Sequence, residues 1–123
     1  MLLLEEPLSF WGGMDPATGE IVDARHPQAG ASLAGRIVAM RSGRGSSSSS
    51  SVLAEAIRSG AAPVGLVLAE ADVIVALGSI VAAELYGTQV PVIAVAESDY
   101  ARLPSGGEVE LEAGPDGAVI RPL

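Results

Sequence analysis

The chain has no cysteine and no lysine, and its aromatic residues are one Trp, two Tyr and one Phe. Without cysteine it can form no disulfide. Alone it can build neither a thiolate zinc site nor an iron–sulfur cluster. Without lysine, its basic charge rests on seven arginines against 15 acidic residues, a net charge of −8. Those arginines form no cluster that would make a basic face, which argues against nucleic acid and anionic lipid as partners. Long uninterrupted apolar runs are missing too. The stretch from Val64 to Ala83 is broken by Glu70 and Asp72 and is no membrane span. Met1-Leu2-Leu3-Leu4 meets Glu5-Glu6 at once, so it lacks the basic start and apolar length of a signal peptide. The expectation is a cytoplasmic protein.

What is present suits one domain, spanning residues 1–123. Apolar residues make up 49% of the chain, so a core can form, built from Val, Ile, Leu and Ala. Fifteen Gly and eight Pro favour short elements joined by tight turns over a helical bundle. Residues 7–35 are the most heavily punctuated. Ile37 to Met40 reads as a strand, and Val52, Leu53, Ala56 and Ile57 recur at helical spacing up to Gly60. Val64 to Leu68 is a second buried strand, Ala76 to Leu85 a helix, and Val90 to Val95 a third strand. Val109 and Leu111 alternate with Glu108, Glu110 and Glu112, as in a strand wet on one face. Gly114-Pro115-Asp116-Gly117 turns it into a last strand at Ala118 to Ile120. This order predicts an α/β fold, parallel in the middle, with a terminal antiparallel hairpin completing a mixed parallel/antiparallel sheet.

Ser42-Gly43-Arg44-Gly45 is followed by six serines, Ser46 to Ser51. Such a run by itself reads as a flexible linker. Here, however, strand and helix stand directly on either side of it. A glycine turn opening a helix presents unpaired backbone N–H groups and partial positive charge, and serines add hydroxyl donors. The physical reading is an anion seat at a helix start. It is neither a dinucleotide fingerprint, for want of a third glycine, nor a nucleotide P-loop, for want of lysine.

Three blocks carry a family resemblance. The first is Pro7-Leu8-Ser9-Phe10-Trp11-Gly12-Gly13-Met14-Asp15-Pro16 with Thr18-Gly19, Ile21-Val22-Asp23, His26-Pro27 and Gly30 to Arg36. The second is Gly43-Arg44-Gly45-Ser46-Ser47-Ser48 with Val52-Leu53. The third is Ala76 to Val81 with Glu84-Leu85-Tyr86-Gly87 and Val90-Pro91-Val92. Together they resemble the small subunit, or swivel domain, of aconitase X. The resemblance implies a swivelling β/β/α domain and a hydro-lyase assembled from a large and a small subunit. Its substrate would be a small β-hydroxy carboxylate, cis-3-hydroxy-L-proline first and phosphomevalonate as the alternative. It implies an iron or iron–sulfur centre on the large subunit and none bound by this chain. It also implies a serine proton acceptor directly after the Gly-x-Gly turn. That serine is Ser46, with Ser47 the second choice because the run fixes its own frame poorly. Arg44, Gly45, Ser47 and Ser48 would bind substrate. Members usually carry another strand before the position of Leu2-Leu3-Leu4, so the N-terminal strand is expected to be truncated here.

Other residues have plainer readings. Asp15 before Pro16 reads as a turn former ahead of a catalytic acid, Trp11 as a core residue ahead of a cover for the partner interface, His26 as structural, and Tyr86 as a packing residue at a helix end. A competing class is a non-catalytic swivelling module related to phosphohistidine domains. The position matching their histidine is Leu77, which can carry no phosphoryl group.

Overall fold

A computed structural model describes residues 1–44, 48–103, 109–114 and 117–122. Strands β1 (Leu2–Leu3), β2 (Ile37–Met40), β3 (Gly65–Leu68) and β4 (Val92–Ala94) pair in that order into one parallel sheet. Val38 sits opposite Leu2 on one side and Leu66 on the other, and Leu66 opposite Val92. Helix α2 (Ser49–Ser59) connects β2 to β3, and α3 (Val73–Tyr86) connects β3 to β4. A short, kinked helical turn, α1 (Phe10–Gly13), precedes β2, and a single turn, α4 (Glu97–Tyr100), follows β4. Strands β5 (Val109–Gly114) and β6 (Gly117–Pro122) form an antiparallel pair. Among the described residues no helix is long and apolar enough to cross a membrane.

The period-2 rule sorts the sheet residues into two cores. Val38, Met40, Leu66 and Leu68 face α2 and α3 and are fully shielded, together with Leu53, Ala56 and Ile57 of α2. Ala39 and Val67 face the other way, against Tyr100, with Ile37, Ile93 and Ile120 packed around them. Each fully buried Val, Leu or Ile contributes roughly 1.5–3 kcal/mol, so these strands are fixed in register by the faces they bury. Three layers result: two helices, a parallel sheet, and the hairpin with α4. The strand directions match the sequence reading. The hairpin, however, lies across the parallel sheet as its own layer and does not extend it edge to edge. Gly65 explains the close approach, because a Cβ there would sit 2.6 Å from the Leu111 side chain.

The helix ends follow local chemistry. Gly60 takes the left-handed conformation (φ 81°), its N–H reaching Ile57 while Ala61 N–H reaches the Ala56 carbonyl at 2.9 Å. Gly87 (φ 70°) closes α3 in the same conformation. Helix α3 begins three residues before the expected Ala76, because Asp72 caps it: its Oδ1 accepts from Ile74 N–H (2.9 Å) and Val75 N–H (3.0 Å). The two helices cross at Gly78, where a Cβ would sit 2.7 Å from the Ser50 carbonyl oxygen.

Candidate functional site

Parallel strands deliver their following loops to one end of a sheet, and binding crevices collect there. Here the loops after β2 and β3 bring the first turns of α2 and α3 together. Arg41, just past β2, ties the loops to each other, its carbonyl accepting from Ala69 N–H (3.1 Å) and Glu70 N–H (2.9 Å). Its guanidinium lies 5.2 Å from the centre of the Tyr100 ring and pairs with Glu97, whose hydrogen bond raises the arginine's pKa further. The chain then passes Gly43, which bridges to Leu8, and reaches Arg44.

A cleft of about 80 Å³ opens between the two helix starts. Its polar wall is Arg44, Ser49 and Asp72, and its apolar wall is Leu8, Phe10 and Val75. Ser49 is 4% exposed and accepts a hydrogen bond from Trp11 N–H at 3.2 Å, which ties α1 to the first turn of α2. Asp72 lies so close to Gly43 that any Cβ there would overlap its carboxylate. Arg44 sits 3.8 Å from Glu6, with both side chains about half exposed.

The two helix mouths differ electrically. Asp72 places its own carboxylate on the first amides of α3. Helix α2 has no acidic residue in its first turn, and the side chain of Ser48 at its cap position makes no capping bond to those amides. The start of α2 thus carries the helix's partial positive charge, and Arg44 lines the same cleft with the Asp72 carboxylate on its other side. A second, larger groove of about 390 Å³ runs between α3 and β4, but residues such as Ala76, Ile80, Ala83 and Val92 line it with no charged side chain. Its Ser79 hydroxyl already donates to the Val90 carbonyl. It does not suit a carboxylate.

Of the sequence-predicted site residues, Arg44 lines the cleft and Ser48 precedes the first turn of α2. Gly45, Ser46 and Ser47 lie outside the described residues. Asp15 forms a turn, its carboxylate accepting from Ala17 N–H and its carbonyl from Gly19 N–H. His26 is buried and hydrogen-bonded on both ring nitrogens. Trp11 is corrected: it is 57% exposed, because the neighbouring Phe10 takes the buried place and the extended backbone at Trp11 turns the indole outward. Tyr86 ends α3 with its ring exposed. Leu77 falls one turn inside α3, not at its start, which removes the helix-mouth geometry a phosphohistidine would use. Asp72 and Ser49 were missed. The signal for Asp72 was a capping residue directly before an apolar run.

Residues 1–120 match the family model described as the aconitase X swivel domain. The chain is 50% identical over 90 residues to a cis-3-hydroxy-L-proline dehydratase of Pseudomonas aeruginosa, covering 73% of this chain and 16% of that protein. It is 44% identical over 80 residues to a phosphomevalonate dehydratase small subunit of Methanopyrus kandleri, covering 65% of this chain and 59% of the other. It thus spans about a sixth of the length of the first of these relatives. The crystal structure of Thermococcus kodakaraensis aconitase X superposes with a TM-score of 0.80 at 30% identity, over 99% of this chain and 86% of that one.

Proposed function

The chain belongs to the aconitase X swivel-domain family, and from that premise we propose that it is the small subunit of a cytoplasmic hydro-lyase acting on cis-3-hydroxy-L-proline. The observation that carries the proposal is the small cleft at the mouth of α2, with Arg44 in its polar wall. At about 80 Å³ it takes a carboxylate-sized group, well short of the ~300–1,000 Å³ of an enclosing ligand pocket. The other walls we assign to a large subunit, the partner implied by the name of the phosphomevalonate dehydratase small subunit of Methanopyrus kandleri.

In this reading the substrate carboxylate rests against the α2 amides and Arg44. Those donors also stabilise the negative charge that spreads onto the carboxylate as the neighbouring C–H proton leaves. Ser46, directly after the Gly-Arg-Gly turn, accepts that proton, with Ser47 the alternative. A serine is a weak base unless its alkoxide is stabilised, and the helix mouth and Arg44 provide that stabilisation. Gly45 and Ser48 complete the substrate contacts. Closure of the large subunit over the cleft excludes water.

The donor set of this chain does not suit the iron centre the family implies. There is no cysteine, and the described residues hold no cluster of three His, Cys, Asp or Glu side chains placed for a metal. We therefore assign that centre to the large subunit. The identity to the phosphomevalonate dehydratase small subunit supports a second substrate reading on the same site.

The test is to co-produce the chain with the large subunit and assay both compounds. Water elimination from cis-3-hydroxy-L-proline by the pair, and by neither subunit alone, is expected. Turnover of phosphomevalonate alone transfers the assignment to the second substrate. A failure to form any complex overturns the proposal.

A further inference from the structure

The segment between β1 and Leu8 forms a strap along the edge of the cleft. Leu3 pairs with Ala39, Leu4 N–H donates to the Ala39 carbonyl at 2.8 Å, and Leu8 bridges in parallel to Gly43. Between those anchors the strap makes no described ladder with β2. Two side chains from a different loop hold it there. His26, 6% exposed, accepts Gln28 N–H on Nδ1 at 3.0 Å, which leaves Nε2 to donate to the Glu6 carbonyl at 3.0 Å. Gln28 then accepts Glu5 N–H on Oε1 at 2.9 Å and donates from Nε2 to the Leu3 carbonyl at 3.1 Å. Three backbone groups of the strap are thus fixed by this pair. Glu6 carries a carboxylate 3.8 Å from the Arg44 guanidinium.

We propose that His26 and Gln28 are positioning residues for Arg44. They clamp the strap so that Glu6 and Leu8 hold the loop from Gly43 to Arg44 in place at the cleft. Neither touches substrate. An arginine whose backbone and ion-pair partner are both held loses less freedom on meeting a carboxylate, so the clamp acts on substrate affinity. The inference rests on the reading of Arg44 as a substrate contact, and its test separates the two.

The measurement uses the assembled two-subunit dehydratase with KM and kcat determined for the hydroxy acid. His26→Ala should raise KM about fivefold, the equivalent of one lost hydrogen bond, while kcat changes less than about twofold. His26→Gln, which keeps a donor for the Glu6 carbonyl, should restore most of that loss. Gln28→Ala, at a less buried site and safer for folding, removes two bonds to the strap and should raise KM by about fivefold or more. In an Arg44→Gln background both clamp variants should become silent, because their effect passes through that arginine. A clamp variant that leaves KM unchanged, or lowers kcat as much as it raises KM, overturns the inference. So does one whose effect persists without Arg44. An Arg44→Gln variant with unaltered KM overturns the reading of Arg44 instead.

Discussion

Replacing Gly43 by alanine tests the packing that joins the two helix starts. A Cβ at this position overlaps the Asp72 carboxylate and comes within 3.2 Å of Val75 Cγ2. The carboxylate must move, and with it go the bonds to Ile74 and Val75 N–H, 2.9 and 3.0 Å, that cap α3. Losing a cap of this kind costs about 1 kcal/mol, and the crowded valine adds to it, so roughly 1–2 kcal/mol is expected. For a domain of this size that is a fall of about 4–8 °C in Tm, readable by circular dichroism on the isolated chain. The same substitution in an Asp72→Ala background should cost less than about 0.5 kcal/mol, because the carboxylate is gone, and the narrower unfolded ensemble of alanine offsets the remaining contact with Val75. An equal loss in both backgrounds, or no loss with Asp72 present, would refute the reasoning.

Three further outcomes are expected. Gly78→Ala should destabilise the chain by about 1–3 kcal/mol despite alanine's better helix propensity, since the added Cβ meets the Ser50 backbone oxygen of α2 at 2.7 Å; urea unfolding reads the sign directly. Burial raises the Tyr100 phenol pKa, so its contribution is intact below its ordinary value of about 10 and lost as pH climbs above that; Tyr100→Phe should remove this alkaline loss. At neutral pH the same variant should be neutral or stabilising, because the hydroxyl finds no partner among the described residues. Trp11 is the single tryptophan and stands exposed beside the cleft, so its fluorescence should shift to shorter wavelength when the large subunit binds, and an unchanged spectrum on a demonstrated complex would count against closure there.

Much of the fold could be read from local pattern. Ile37 to Met40 and Gly65 to Leu68 are short apolar runs bounded by turns, and the helices between them force parallel pairing. Gly60 and Gly87 mark helix ends as their conformation requires. The start of α3 was hidden because Val73, Ile74 and Val75 are all β-branched residues with weak helix propensity, held helical here by the Asp72 cap and the burial of Val75. Phe10 and Trp11 are adjacent and both apolar, so pattern alone could not say which is buried. The hairpin's layer depends on Leu111 lying over Gly65, a contact between residues far apart in sequence. Within the serine run identical residues carry no register, so the beginning of α2 at Ser49 and the burial of that side chain had no local signal. The same degeneracy is why Ser46 rests on its place after Gly45.

The central claim is that a hydroxyl of this chain takes the substrate proton. The most direct measurement is kcat of the reconstituted dehydratase carrying Ser46→Ala, with Ser47→Ala as the companion variant and complex formation verified for both. Loss of a general base should lower kcat for Ser46→Ala by about 10²–10⁴-fold, with Ser47→Ala far less affected. Wild-type turnover by an intact Ser46→Ala complex would contradict the account.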